Sequence, residues 1–123
     1  MRINAPIFLS ACAVVGLLGA APAMAAAPAP AVFARCAVCH NAEKGAPDKI
    51  GPNLYGVYGK KAAQGKHAYS EALKKANLTW NEATLDKWIT APMTMVPGTM
   101  MSFPGIKDPA KRAELIAYLK SLK

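Results

Sequence analysis

The sequence is poor in acid. Seven Asp and Glu stand against fifteen Lys and Arg, for a formal net charge of +8. A balance this basic turns the surface toward acidic proteins, nucleic acid or anionic lipid rather than toward cationic partners. β-Branched residues are sparse, no stretch alternates apolar with polar positions as a half-buried strand does, and no internal repeat occurs, which argues against sheet and repeat architectures. The apolar run near the start is shorter than the ~20 residues a membrane-spanning helix needs. With 123 residues the chain has room for one small domain and none for a large multidomain enzyme. What it does have is an apolar fraction of 53%, led by alanine. That is too high for a disordered chain and leans toward helix.

The first 25 residues read as a leader. Met1 and Arg2 form a short basic start, Ile7 to Ala21 carries no charge, and Ala23-Met24-Ala25 supplies the small-x-small pattern of a signal-peptidase site. Gly16, Gly19 and Pro22 interrupt the run, so a cleaved secretory signal is expected over residues 1–25 and the functional domain over 26–123. Leu9-Ser10-Ala11-Cys12 is a rival lipoprotein box, but the apolar stretch before Cys12 is very short. Cleavage after Ala25 removes Cys12 and leaves Cys36 and Cys39. A disulfide between them would close only a tiny loop and stabilise little, so another use of the pair is expected.

Past the Ala/Pro stretch 26–31, a short helix is expected from about Ala31 to Cys39. Residues 41–66, punctuated by Gly45, Pro47, Gly51, Pro52, Gly56, Gly59 and Gly65, read as a long loop. A loop of that length in so small a domain implies something other than the chain holding it. His67 to Ala76 can form a second helix. Thr79 and Glu82 read as a capping box for a third, which should end before Pro92. Residues 91–106 read as a second loop. Asp108-Pro109 signals the start of a final helix with Leu115, Tyr118, Leu119 and Leu122 on one face. Three or four short helices bury little apolar area, and a large apolar cofactor at the centre would supply the missing core.

Cys36-Ala37-Val38-Cys39-His40 points to that cofactor. C-x-x-C-H is the covalent attachment signature of a c-type haem. On one helical turn, two thiols three residues apart can reach two vinyl groups on one porphyrin edge, and the adjacent His40 can turn toward the iron. A redox dithiol or half of a zinc site are the alternatives. The first wants a βαβ setting and the second wants further Cys or His ligands, of which His67 alone remains.

The chain resembles the class I c-type cytochromes, small soluble monohaem proteins, over nearly all of residues 26–123. Four motifs in order carry the resemblance: Gly51-Pro52-Asn53-Leu54-Tyr55-Gly56-Val57-Tyr58-Gly59 after the haem signature, Leu78-Thr79-Trp80, Pro97-Gly98-Thr99-Met100-Met101, and Leu115-Ile116-Ala117-Tyr118-Leu119-Lys120. It implies an all-α cytochrome c fold, short helices and long loops wrapped around one covalent haem. His40 would be the proximal ligand, its other ring nitrogen donating to the carbonyl of Pro52. Met101 would be the distal ligand, with Met100, Met93 and Met95 packing nearby. Tyr69, Trp80 and Thr99 would serve a buried propionate, and Trp88 would lie close to the axial sulfur. Three positions depart from the family pattern. Lys60 stands where Arg is usual, Leu73 where Asn is usual, and the glycine of the first helix falls near Pro28 or Ala29.

The function implied is that of a periplasmic one-electron carrier, not an enzyme. A haem subunit bound to a periplasmic dehydrogenase, or a ligand-binding or peroxidatic haem protein, are the alternatives. No nucleic-acid motif accompanies the positive charge, so acidic redox proteins are the expected partners of a monomer, with membranes met only through membrane-bound redox complexes. Arg35, Lys49 and Lys107 match basic positions around the haem edge. Met93, Thr94 and Met100 take positions where relatives often carry lysine, so the rim beside the axial loop is expected to be more apolar.

Overall fold

The computed structural model describes residues 16, 19–21 and 26–123. The rest of the expected leader, Cys12 included, lies outside the described residues. Among the described residues there is no strand, only an isolated antiparallel bridge between Lys61 and Thr79. No helix among them is long and apolar enough to cross a membrane. Among the described residues, five short α-helices follow one another: α1 (Ala34–Ala37), preceded by a 3₁₀ turn over Ala31–Phe33, then α2 (Glu71–Ala76), α3 (Glu82–Thr90), α4 (Pro92–Met95) and α5 (Pro109–Ser121). The all-α expectation holds, with one more helical turn than anticipated.

Local side-chain chemistry sets most of the helix ends. Ser70, in extended backbone, caps α2 by accepting from the Leu73 N–H at 3.1 Å, so the helix starts at Glu71 and not at His67. It stops at Asn77, whose left-handed φ of 51° is tolerable for Asn. The cap of α3 is Asn81, not Thr79. Its Oδ1 accepts from both the N–H and the hydroxyl of Thr84, each at 2.9 Å. Thr79 is taken up by the bridge to Lys61, extended backbone that suits a β-branched residue, and so Glu82 begins the helix and does not close a capping box. Pro92, which ends α3, also sits at the first position of α4, where its missing N–H costs nothing. The stretch 91–106 is therefore not loop throughout. Asp108 and Pro109 start α5 as expected, with Asp108 Oδ1 accepting from Ala110 N–H at 2.9 Å.

The core forms where α5 packs on α3 and on the first turn. Leu115, Ile116, Leu119 and Leu122 are buried against Leu85, Trp88 and Ile89, each aliphatic side chain stabilising by about 1.5–3 kcal/mol. Tyr118 is half-buried and takes the edge of the Phe33 ring at a centroid distance of 4.9 Å. The first turn thus docks on the last helix through an aromatic pair, with no glycine at the crossing. Arg112 clamps the same corner, its Nε donating to Asp86 Oδ1 at 2.8 Å and its Nη1 to the carbonyls of Ile106 and Lys107. The long loop is tied down by backbone bonds from Gly56 N–H to Leu122 O and from Trp80 N–H to Lys60 O.

Candidate haem site

The C-x-x-C-H segment leaves α1 as a continued turn. The N–H groups of Cys39 and His40 both donate to the carbonyl of Cys36, at 3.0 and 2.9 Å. Cys36 and Cys39 are free thiols and partly buried. Burial raises the Cys36 thiol pKa against the opposing pull of the Arg35 charge, which keeps it protonated near neutral pH. His40 Nδ1 lies 2.7 Å from the carbonyl oxygen of Pro52. A carbonyl can only accept, so Nδ1 carries the proton and the neutral ring leaves the Nε2 lone pair free for a metal. Burial lowers the His40 pKa, outweighing the Pro52 bond, and His67 and Lys49 push the same way, which keeps the ring neutral.

Gly51 makes this geometry possible. A Cβ there would run into the His40 ring, within 2.7 Å of Nδ1 and 2.9 Å of Nε2. The constraint is space against the imidazole, and the Gly51 N–H bond to Cys39 O at 2.8 Å holds the two segments together. Gly51→Ala is expected to push the ring off the Pro52 carbonyl and to cost about 1–3 kcal/mol. Thermal unfolding of the haem-loaded protein measures it, and an unchanged midpoint would show that the ring moves freely.

Asn53 organises the loop beneath the ring. Its Nδ2 donates to the carbonyls of Glu43 and Ala46, its Oδ1 accepts from Tyr55 N–H, and its own N–H donates to Asp48. The ordered loop 41–66 thus holds itself in part through one side chain. Trp80 is buried with its ring 5.2 Å from that of Trp88. Tyr69 donates its hydroxyl to the Gln64 carbonyl at 2.6 Å, and burial together with the Asp48 charge keeps the phenol neutral. Leu73 sits in the apolar core. Met101 is half-buried and packs against the core, Thr99 Oγ1 accepts from its N–H at 3.4 Å, and Met100 is 68% exposed. Met93 is exposed on α4.

The three cations expected at the rim are each bound to a backbone carbonyl. Lys49 Nζ donates to Ala37 at 2.8 Å, Lys107 Nζ to Thr90 at 2.5 Å and Arg35 Nη2 to Gly105 at 3.4 Å. Among the described residues no three His, Cys, Asp or Glu side chains converge on a common metal position. His67 instead faces Asp48 at 3.9 Å and the edge of Tyr69. The Cys36–Cys39–His40 set therefore does not extend into a zinc cage. The set fits a haem: two free thiols on one turn, a neutral imidazole with one nitrogen available, and the Cys36 side chain packed against the apolar core.

Two features escaped the sequence. Phe103 carries the Arg35 guanidinium 4.9 Å above its ring, and the hint was a lone aromatic in a Gly/Pro-rich loop. Gly105, at φ +101°, is pressed so close to the Thr90 carbonyl that no Cβ fits, a contact no local pattern foretells.

Short helices joined by long loops, with a C-x-x-C-H turn presenting a neutral imidazole, define a small c-type cytochrome. The sequence model of the cytochrome c family matches residues 26–123, and the chain belongs to that family. It is 48% identical over 93 residues to cytochrome c2 of Rhodoblastus acidophilus, covering 75% of this chain and 87% of that protein. It is 45% identical over 97 residues to cytochrome c2 iso-2 of Magnetospirillum fulvum, covering 78% and 100%. The solved structure of cytochrome cH from Methylobacterium extorquens superposes with a TM-score of 0.67 at 52% identity, over 72% of this chain and 89% of that one. One covalently attached haem c and electron carriage follow from the family.

Proposed function

We propose that the chain is exported, loses residues 1–25, and works in the periplasm as a monohaem one-electron carrier, with His40 and Met101 as the two axial side chains. The observation that carries this reading is the 2.7 Å contact between His40 Nδ1 and Pro52 O beside two free thiols. Bound haem supplies a one-electron ferric/ferrous couple. His40 is held in one tautomer and one orientation by Pro52 and Gly51, which limits reorganisation as charge changes. The Met101 thioether would favour the ferrous state and raise the potential. Held there, it would keep water and peroxide from the metal. Tyr69, Trp80 and Thr99 are assigned to a propionate. Tyr69 would exchange its neutral Gln64 acceptor for a carboxylate, the stronger of the two.

Arg35, Lys49, Lys107, Met93 and Met100 are assigned to docking with acidic redox partners. Lys49 and Lys107 steer a partner at long range, while the exposed Met93 and Met100 offer contact that salt does not screen. The test is the bimolecular electron-transfer rate of the periplasmic holoprotein, confirmed by mass as residues 26–123 plus one haem, with its physiological partner. The rate is expected to fall about tenfold or more as salt rises and then to level off. Lys49→Glu and Lys107→Glu should slow it at low salt, and Met93→Ser should slow it at all salt concentrations. A rate indifferent to salt and to both reversals would contradict the docking face, and a leader still attached would contradict the export reading.

A further inference from the structure

We propose that Arg35 is the latch that closes the Met101 loop onto the haem-attachment turn. The residue directly before Cys36 lays its guanidinium over the Phe103 ring at 4.9 Å and points Nη2 at the Gly105 carbonyl, bridging 70 positions of sequence. The loop's ends are anchored without it. Thr99 N–H donates to Val96 O at the near end, and at the far end Ile106 N–H donates to Ile89 O while Lys107 Nζ reaches Thr90 O. Gly105 is wedged against Thr90 by its left-handed backbone.

The middle of the loop is held more lightly. Phe103 N–H donates to Met101 O at 3.0 Å, and the Met101 N–H contact with Thr99 Oγ1 is long, at 3.4 Å. Among the described residues, Arg35 is the one side chain from outside residues 97–105 that donates a hydrogen bond to them. Because the Phe103 N–H is hydrogen-bonded to the Met101 carbonyl, a force on its ring is a force on the Met101 segment. Arg35 is thus a positioning residue, acting on Met101 through Phe103, in addition to carrying charge at the docking rim. Lysine would keep the charge over the ring but lose the planar stacking and the fork that reaches Gly105.

The proposal rests on Met101 as the distal ligand, and two readouts separate the two ideas. The first is the imidazole concentration that displaces the sulfur-to-iron charge-transfer absorption of the ferric holoprotein. The second is amide exchange at Phe103, which needs no assumption about ligation. Arg35→Gln should raise the affinity for imidazole about two- to fivefold, the strength of an exposed cation–π contact, and speed Phe103 exchange by a similar factor. Arg35→Lys should fall between it and the wild type. Phe103→Leu should act in the same direction, and Arg35→Gln with Phe103→Leu should add nothing to Phe103→Leu alone. Unchanged imidazole affinity and exchange in Arg35→Gln, or effects that multiply in the double variant, would overturn the latch. Absence of the absorption in the wild type would overturn the Met101 reading, with amide exchange still deciding the latch.

Discussion

Replacing Cys36 and Cys39 together by serine is expected to leave little folded protein. Among the described residues, five helical segments are too short to stand alone: α1 and α4 have four residues each, α2 has six, α3 has nine, and the opening 3₁₀ turn has three. Isolated helices below about 12–15 residues are marginal even in favourable sequences. The well-buried apolar contacts concentrate where α3 meets α5. Loop 41–66 and the Met101 loop need a partner, and the family's covalent haem provides it. Without the thioether bonds that partner can leave, and the loops keep only their contacts with this small core. The expected results are a large drop in periplasmic yield, loss of the native helical circular dichroism signal, and no haem on the polypeptide after denaturing electrophoresis. The wild type should keep its haem through acid–acetone extraction. Complete extraction from the wild type would contradict covalent attachment.

The parts of this fold legible in the sequence are those set by neighbours along the chain. Asp108-Pro109 starts α5 because a carboxylate reaches the next turn's N–H wherever it lies in the fold. Cys36, Cys39 and His40 share a turn because their spacing is helical. The α3 cap was not legible. Thr79 and Asn81 are both good caps, and what decides between them is a bridge to Lys61, eighteen positions earlier. The helical turn at Pro92 was hidden because proline ends one helix and starts another under the same rule, and only the packing of 92–95 on α3 tells which applies. The cations were legible as charge but not as contacts. That Lys49, Lys107 and Arg35 bind carbonyls depends on loops folding back over 12, 17 and 70 positions. Gly51 was legible as part of a motif, and its physical reason, an imidazole with no room for a Cβ, belongs to the structure.

Met101→Ala is expected to abolish sulfur ligation and open the sixth position to exogenous ligands, whereas Met100→Leu should preserve both properties. The two side chains are adjacent and differently placed. Met100 is 68% exposed, while Met101 is half-buried and packed on the core. Its backbone is engaged on both sides, by Thr99 Oγ1 at the N–H and by Phe103 N–H at the carbonyl. A thioether held in the interior meets a metal with little loss of side-chain freedom, and one pointing into solvent does not. The Met101→Ala site would accept imidazole or carbon monoxide, and its reduction potential should drop with the loss of the thioether that favours ferrous iron.

The most direct test of the His40/Met101 carrier is the sulfur-to-iron charge-transfer absorption of the ferric holoprotein, recorded for the wild type, Met101→Ala and Met100→Leu. The absorption should be present in the wild type, absent in Met101→Ala and intact in Met100→Leu. Its survival in Met101→Ala, or its loss in Met100→Leu, would contradict the account.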